Sequence, residues 1–183
     1  APVAHCRLVA YGPQGQPLPV EAYNSLLLTD SANNPFPRAA LDKALPAGPF
    51  LISLPLAVPG FGHVYLFADN GGRGYRARDI AGRELLLNYE FSLSRVSAVE
   101  RYLEKHGKAG FRFSPEVAAR LERGRAAQSQ AADSRKDPAA CARLANESLA
   151  QSLWAGEMAV VEKARQQIEK RGARPGFLFG CNA

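Results

Sequence analysis

The sequence has few of the residues that build cysteine-rich, metal-binding or membrane-spanning proteins. Its 183 residues include three cysteines, one methionine and one tryptophan. Cys6, Cys141 and Cys181 are odd in number and far apart, so they form neither a complete disulfide framework nor a zinc-binding pattern. Prolines and glycines interrupt the longest apolar runs before they reach the roughly 20 residues of a membrane helix. We therefore expect a globular protein with no membrane partner.

The familiar catalytic and cofactor-binding motifs are missing as well. There is no G-x-S-x-G sequence, and the glycine-rich stretch 69–74 lacks the Lys and Ser/Thr of a phosphate-binding loop. His5, His63 and His106 are scattered and have no second ligand at a metal-binding spacing. The sequence thus predicts no catalytic residue, no metal ligand and no cofactor.

Charge and proline divide the chain into two halves. The first hundred residues carry eight basic and eight acidic residues, whereas the remainder carries fifteen and nine, and ten of the thirteen prolines lie in the first sixty positions. The basic residues of the second half alternate with acids at helical spacing, which is typical of a solvated helix surface. We expect two differently built regions and no nucleic-acid partner.

Short apolar runs separated by turn residues characterise the first half. They occupy positions 7–11, 26–29, 50–58, 63–68 and 85–91. A glycine-rich loop at 69–74 predicts a hairpin in which 63–68 pairs with 75–78. Several short strands at this spacing indicate a β-sandwich. The predicted fold class is α+β, and residues 1–91 are expected to form an antiparallel, jelly-roll-like β-sandwich domain.

The second half has helical periodicity, and residues 92–172 are expected to form a helical connector. Ser92 or Ser94 can begin a first helix, and Ser114 followed by proline and glutamate can begin a second. Positions 124–136 are small and polar, which favours a loop. Asp137 and Pro138 then begin the longest periodic stretch, and Gly172 is suited to end it.

The carboxyl-terminal segment 177–183 has the composition of a buried strand. An apolar strand at a free end leaves backbone groups unpaired unless a neighbouring sheet accepts it. We therefore interpret residues 173–183 as an orphan strand, the first of a truncated domain that continues beyond Ala183.

A group of aromatic and polar side chains is the best candidate for sugar binding. Alternation along the strand places Tyr65, Phe67 and Asp69 on one face, and the predicted hairpin brings Tyr75 and Arg76 opposite them. Aromatic rings can stack on pyranose faces while polar groups bind hydroxyls. The candidate carbohydrate-binding residues are Tyr65, Phe67, Asp69, Asn70, Tyr75 and Arg76. The alternative, which we favour, is that the rings form one layer of the core.

Two acids in the same region could form a catalytic pair. Glu84 and Glu90 are separated by an even number of residues, so a strand would direct both to one face, as a glycosidase requires. Nothing around them distinguishes a general acid from a base. The alternative, which we favour, is a solvated strand face.

Three stretches carry a resemblance to a known family. Residues 152–158 (SLWAGEM), 174–183 (RPGFLFGCNA) and 58–72 (VPGFGHVYLFADNGG) resemble the region that precedes the barrel in endo-1,4-β-xylanase-like proteins of glycoside hydrolase family 10. The resemblance implies a β-rich domain and a helical connector leading into a (β/α)₈ barrel. The catalytic glutamates of that family lie on later barrel strands, so no residue here inherits their role.

The resemblance therefore implies a non-catalytic accessory region of a xylan-directed hydrolase, inactive alone, that braces the catalytic barrel or assists polysaccharide binding. Its expected partners are the catalytic barrel of the same parent chain and plant polysaccharide, and a secreted or periplasmic location is favoured. The alternative is a small binding or assembly protein that oligomerises through its long helix.

Overall fold

The structure is a computed structural model that describes residues 6–36 and 45–172. Its strands are β1 (Arg7–Val9), β2 (Leu27–Thr29), β3 (Leu51–Val58), β4 (Gly62–Ala68) and β5 (Glu84–Leu86). Its α-helices are α1 (Ala77–Ile80), α2 (Leu87–Lys108), α3 (Pro115–Asp133) and α4 (Pro138–Arg171), and a 3₁₀ helix spans Val20–Ser25.

An antiparallel sheet in the order β2-β3-β4 is the centre of the amino-terminal half. Strands β3 and β4 form a hairpin whose register runs from Ile52 opposite Ala68 to Val58 opposite Gly62. Gly60, with φ of 75°, occupies the turn between them, where a left-handed backbone favours glycine. The apolar run 50–58 therefore pairs with the strand that follows it directly.

The inner face of this sheet is the main hydrophobic core. Ile52, Leu54 and Leu66 are at most 4% exposed, as alternation along a strand requires when one face is buried. They belong to the same cluster as Phe91 on α2 and Leu149 on α4. Burial of each large apolar side chain contributes about 1.5–3 kcal/mol, so the sheet is held against two helices.

A short parallel pair joins the start of the chain to the first long helix. β1 pairs with β5 from Arg7 opposite Glu84 to Val9 opposite Leu86, and α2 begins immediately afterwards. Asn88, fully buried in the first turn of α2, accepts from the backbone nitrogen of Tyr11 (2.8 Å) and donates to its oxygen (2.9 Å). The Asn88 amide also donates to Asn146 on α4 (2.8 Å), so three segments meet at one side chain.

Helices α2, α3 and α4 pack together in the carboxyl-terminal half. Gly124 of α3 lies against α4, where an added Cβ would be 3.4 Å from the Ser148 oxygen. Small residues of this kind allow two helix backbones to approach closely. The Ser152 hydroxyl donates to the same Ser148 oxygen (2.8 Å), which satisfies a polar group inside the helix contact.

The predicted β-sandwich is wrong. The described residues contain one three-stranded antiparallel sheet and one two-stranded parallel sheet, and α2 and α4 cover the inner face where a second sheet was expected. The apolar runs 50–58 and 63–68 do form strands, as their residue pattern predicted. The pattern could not reveal whether the covering layer is a sheet or a pair of helices.

Three further predictions of local secondary structure are wrong. The segment 75–78 does not pair with β4; Tyr75 makes an isolated bridge to Phe50, and the chain then turns into α1. The run 85–91 is strand only to Leu86 and continues as α2. Positions 124–136 were expected to be a loop, but α3 is helical to Asp133.

Two of the three predicted helix starts are confirmed, whereas the first of the three helices begins at Leu87 and not at Ser92 or Ser94. Ser114 is the N-cap of α3, and Asp137 is the N-cap of α4, where its carboxylate accepts from the nitrogens of Ala139 and Ala140 (both 3.1 Å). Gly172, with φ of 69°, ends α4 as predicted. The orphan strand proposed at 173–183 lies outside the described residues.

Candidate functional site

The outer face of the three-stranded sheet carries two exposed aromatic rings. Tyr65 is 56% exposed and Phe67 is 53% exposed, although their neighbour Leu66 is buried beneath them. His63, also exposed, precedes them on the same face of β4. Alternate residues of a strand are about 6.8 Å apart, so the three side chains form a straight row about 14 Å long.

The residues opposite this row are small. On β3, Pro55 pairs with Tyr65 and Ser53 pairs with Phe67. Cross-strand partners of this size do not rise to the height of an aromatic ring. The two rings therefore project from the sheet and leave apolar surface accessible to a ligand.

A third apolar residue extends this face on the far side of β3. Leu27 of β2 pairs with Ser53, and 44% of its surface is exposed. The outer face therefore presents Tyr65, Phe67, Pro55 and Leu27, which is an unusual composition for the solvent side of an antiparallel sheet. We call these four residues together with His63 the aromatic face.

Asp69, predicted to bind hydroxyls beside the rings, is directed towards α2. Its carboxylate pairs with Arg101 (3.3 Å), and its backbone nitrogen donates to the Ser94 hydroxyl (3.0 Å). These contacts join the end of β4 to the helix. Asp69 is thus used to attach the sheet to α2, and the structure does not place it with Tyr65 and Phe67.

The remaining three candidates are separated from the aromatic face as well. The side-chain amide of Asn70 donates to the oxygen of Gly74 (3.0 Å), which closes the glycine-rich loop. Tyr75 is buried against Phe50, with ring centroids 6.2 Å apart. Arg76 is exposed at the N-cap of α1. Only Tyr65 and Phe67 of the six candidates thus form a shared surface.

Tyr75 forms a polar contact with α2. Its hydroxyl donates to the Glu90 carboxylate at the start of α2 (2.6 Å). Burial raises the pKa of Tyr75, and the negative charge of Glu90 raises it further. The phenol stays protonated and acts as a hydrogen-bond donor, so it is a structural group.

The two acids considered as a catalytic pair do line one cleft. Glu84 and Glu90 lie on a cavity of about 160 Å³ between β5, α2 and the α3–α4 turn. Glu84 pairs with Arg7 (3.2 Å), while Glu90 accepts from Tyr75. Both carboxylates therefore already have partners with structural roles, and the arrangement supports neither as the general acid of a glycosidase.

Arg135 forms another wall of this cleft. Its guanidinium lies 4.2 Å from the centre of the Tyr89 ring, and Cys141 is buried behind it with its thiol donating to the Ala131 oxygen (3.1 Å). Burial raises the pKa of the Cys141 thiol, so its nucleophilic thiolate form is disfavoured.

Sequence patterns missed a contact at the tip of the β3–β4 hairpin. Trp154 on α4 donates from its indole nitrogen to the Gly60 oxygen (2.9 Å), and its ring meets Phe61 edge-on at 5.1 Å. Trp154 therefore attaches the tip of the hairpin to α4. No periodicity could identify the hairpin as its partner, because 94 positions separate Trp154 from Gly60.

Among residues 6–36 and 45–172, no group of three or more histidines, cysteines or acids is arranged to hold a metal ion. No helix in the same part of the chain is both long and apolar enough to cross a membrane. Comparison with models of known protein families, with curated proteins and with solved structures found no match.

Proposed function

We propose that this chain is a non-catalytic binding module that holds a polysaccharide chain on the aromatic face, as the accessory part of a xylan-directed glycoside hydrolase. The observation that carries the proposal is the exposure of Tyr65 and Phe67 side by side on one strand. The link to xylan comes from the sequence resemblance of residues 58–72, 152–158 and 174–183.

The shape and chemistry of the aromatic face support a sugar ligand. The apolar faces of pyranose rings stack on aromatic side chains, and a linear chain of sugars matches a straight row of rings. His63 and the Tyr65 hydroxyl lie at the level of the rings, where they can exchange hydrogen bonds with sugar hydroxyls. Because β4 is part of a paired sheet, the platform is rigid before binding.

Affinity electrophoresis in gels that contain soluble xylan, together with calorimetry on xylohexaose, tests this proposal. We expect wild-type protein to be retarded and to release heat, and Tyr65→Ala/Phe67→Ala to lose at least about tenfold in affinity. The matched control is Val160→Ala/Val161→Ala, which trims two half-exposed apolar residues of α4. It should bind as wild type does.

Absence of both retardation and heat for the folded wild-type protein would contradict sugar binding. Suppose instead that wild type binds a separately expressed barrel domain and that Tyr65→Ala/Phe67→Ala does not. The aromatic face would then be the surface that contacts and supports that domain. An equal loss of sugar affinity in the α4 control variant would also contradict the assignment of sugar binding to the aromatic face.

A specific observation supports assembly through α4 as a second candidate function. Val160, Val161 and Ile168 are 48%, 46% and 64% exposed, and they lie at helical spacing on the last third of the helix. Apolar residues repeated in this way can form a seam between two helices. Sedimentation velocity tests it: a concentration-dependent dimer that Val161→Glu/Ile168→Glu abolishes supports assembly, and a monomer at all concentrations rejects it.

A further inference from the structure

The positive charge of the chain is concentrated at one end of the helical bundle. Segments 104–113 and 162–171 together contain seven basic and three acidic residues, an excess of four out of a total net charge of +6. These segments are about fifty residues apart in sequence. The fold brings them together, because α2 ends where the last third of α4 passes.

Hydrogen bonds attach the loop between α2 and α3 to α4. The Arg112 backbone nitrogen donates to the Gln166 side chain (3.0 Å), whose amide donates back to the Arg112 oxygen (2.6 Å). Ser114 donates to Glu162 from its nitrogen (2.8 Å) and its hydroxyl (2.6 Å). The backbone that carries Arg112 is therefore held in place beside the helix.

Two ammonium groups from α4 lie over the rings of this loop. Lys170 is 5.1 Å and Lys163 is 5.6 Å from the centre of the Phe111 ring, and Lys163 is also 5.8 Å from that of Tyr102. Desolvation lowers the pKa of His106, and the charges of Lys163 and Lys105 lower it further. The cationic groups are thus close enough to act on one another.

The acids at this end do not neutralise these cations. Glu104 pairs with Lys108, and Glu162 is engaged by Ser114. Glu169 is the third acid of the two segments and is exposed on α4. In the described part of the chain, Lys105, Arg112, Lys163 and Lys170 have no carboxylate partner within salt-bridge distance, and we call these four residues the basic cluster.

We infer that the basic cluster binds the uronate groups of an acidic polysaccharide, an inference that rests on the proposed sugar-binding function. Carboxylates form charge-assisted hydrogen bonds with ammonium and guanidinium groups, and several neighbouring cations raise the local concentration of an anionic polymer. Lysine ammonium groups already lie over the Phe111 and Tyr102 rings, which disfavours the base stacking that single-stranded nucleic acid uses.

The test compares glucuronoxylan with the same polymer after its carboxyl groups have been reduced to alcohols. We expect wild type to bind the native polymer about fivefold more tightly at low ionic strength, and salt to remove this difference because it screens exposed charges. Lys163→Gln/Lys170→Gln should bind both polymers equally. Lys105→Gln/Arg112→Gln, which leaves the three lysine–ring contacts intact, should reduce the preference in the same direction.

The matched control, Lys136→Gln/Arg143→Gln, removes the same charge from exposed positions at the other end of α4. It should keep the preference for glucuronoxylan. Equal wild-type affinity for the two polymers, or the same loss in the control, overturns the inference. Tighter binding of a single-stranded oligonucleotide than of glucuronoxylan at equal ionic strength overturns the choice of polysaccharide.

The two proposals fail in distinguishable ways. If the protein binds the reduced polymer as tightly as the native one, sugar binding on the aromatic face is supported and uronate binding by the basic cluster is rejected. Binding of glucuronoxylan alone, lost in Lys163→Gln/Lys170→Gln but not in Tyr65→Ala/Phe67→Ala, supports the cluster and contradicts the aromatic face. Binding of neither polymer rejects both.

Discussion

The two faces of the three-stranded sheet differ in composition and in exposure. On the inner face Leu66 is 4% exposed and packs against helices, whereas on the outer face its neighbour Phe67 is 53% exposed. Alternation assigns each residue to a face, but it does not determine which face is covered. Tyr65 and Phe67 stay more than half exposed on the outer face, which is the feature that suggests a ligand.

Residues on the inner side of the sheet should therefore control stability, and residues on the outer side should control binding. Leu66→Ala and Phe67→Ala test this contrast at adjacent positions. We expect Leu66→Ala to lower the free energy of unfolding by about 2–5 kcal/mol, since it leaves a cavity in the core. Phe67→Ala should cost less than about 1 kcal/mol. Urea denaturation monitored by circular dichroism measures both, and equal losses would remove the contrast.

Asn88 joins the two helices that cover the inner face, so its loss should also lower the stability of the protein. Asn88→Ala leaves the Tyr11 backbone and the Asn146 side chain without their partner inside the protein. We expect a loss of about 2–3 kcal/mol in the free energy of unfolding. The control Gln130→Ala, exposed on α3, should be close to neutral. A neutral Asn88→Ala would show that the contact is dispensable.

Tyr75 makes the stability of the inner side of the sheet depend on pH. Its pKa is raised in the folded protein, so its contribution is complete below the unfolded pKa of about 10 and is lost as the pH rises above it. In that range each such tyrosine removes about 1.4 kcal/mol of stability per pH unit. Unfolding measured at pH 9–11.5 should show a shallower decline for Tyr75→Phe than for wild type. Identical slopes would exclude Tyr75 as a source of the decline.

Among the substitutions on the covered side of the sheet, we expect the smallest loss of stability at the N-cap of α4. Asp137→Ala removes the acceptor of the Ala139 and Ala140 nitrogens and should cost about 0.5–2 kcal/mol. Asp133→Ala is the control, since an acid in the last turn of α3 does not favour the helix dipole. A melting temperature that falls in the control but not in Asp137→Ala would contradict the capping role.

Sequence reasoning worked where the signal is local. The capping residues Ser114 and Asp137 marked two helix starts, and alternation in 63–68 predicted a strand with Tyr65 and Phe67 on one face. It failed where tertiary structure decides. The run 85–91 has strand composition, but the chain becomes helical at Leu87, where Asn88 and Phe91 are buried by distant segments.

The candidate site was predicted only in part for the same reason. Tyr65 and Phe67 share a face through local alternation alone, whereas grouping them with Tyr75 depended on a hairpin that the chain does not form. The basic cluster had no local signal at all. Arg112 and Lys163 are brought together by the contact between Gln166 and the α2–α3 loop, which no periodicity encodes.

Backbone amide chemical shifts recorded while xylohexaose is added to ¹⁵N-labelled protein show directly whether the aromatic face binds sugar. We expect the largest shifts on residues 63–67 of β4 and on their partners in β3, with α4 unaffected. No shift at saturating sugar, or shifts confined to the cleft around Glu84 and Glu90, would contradict it.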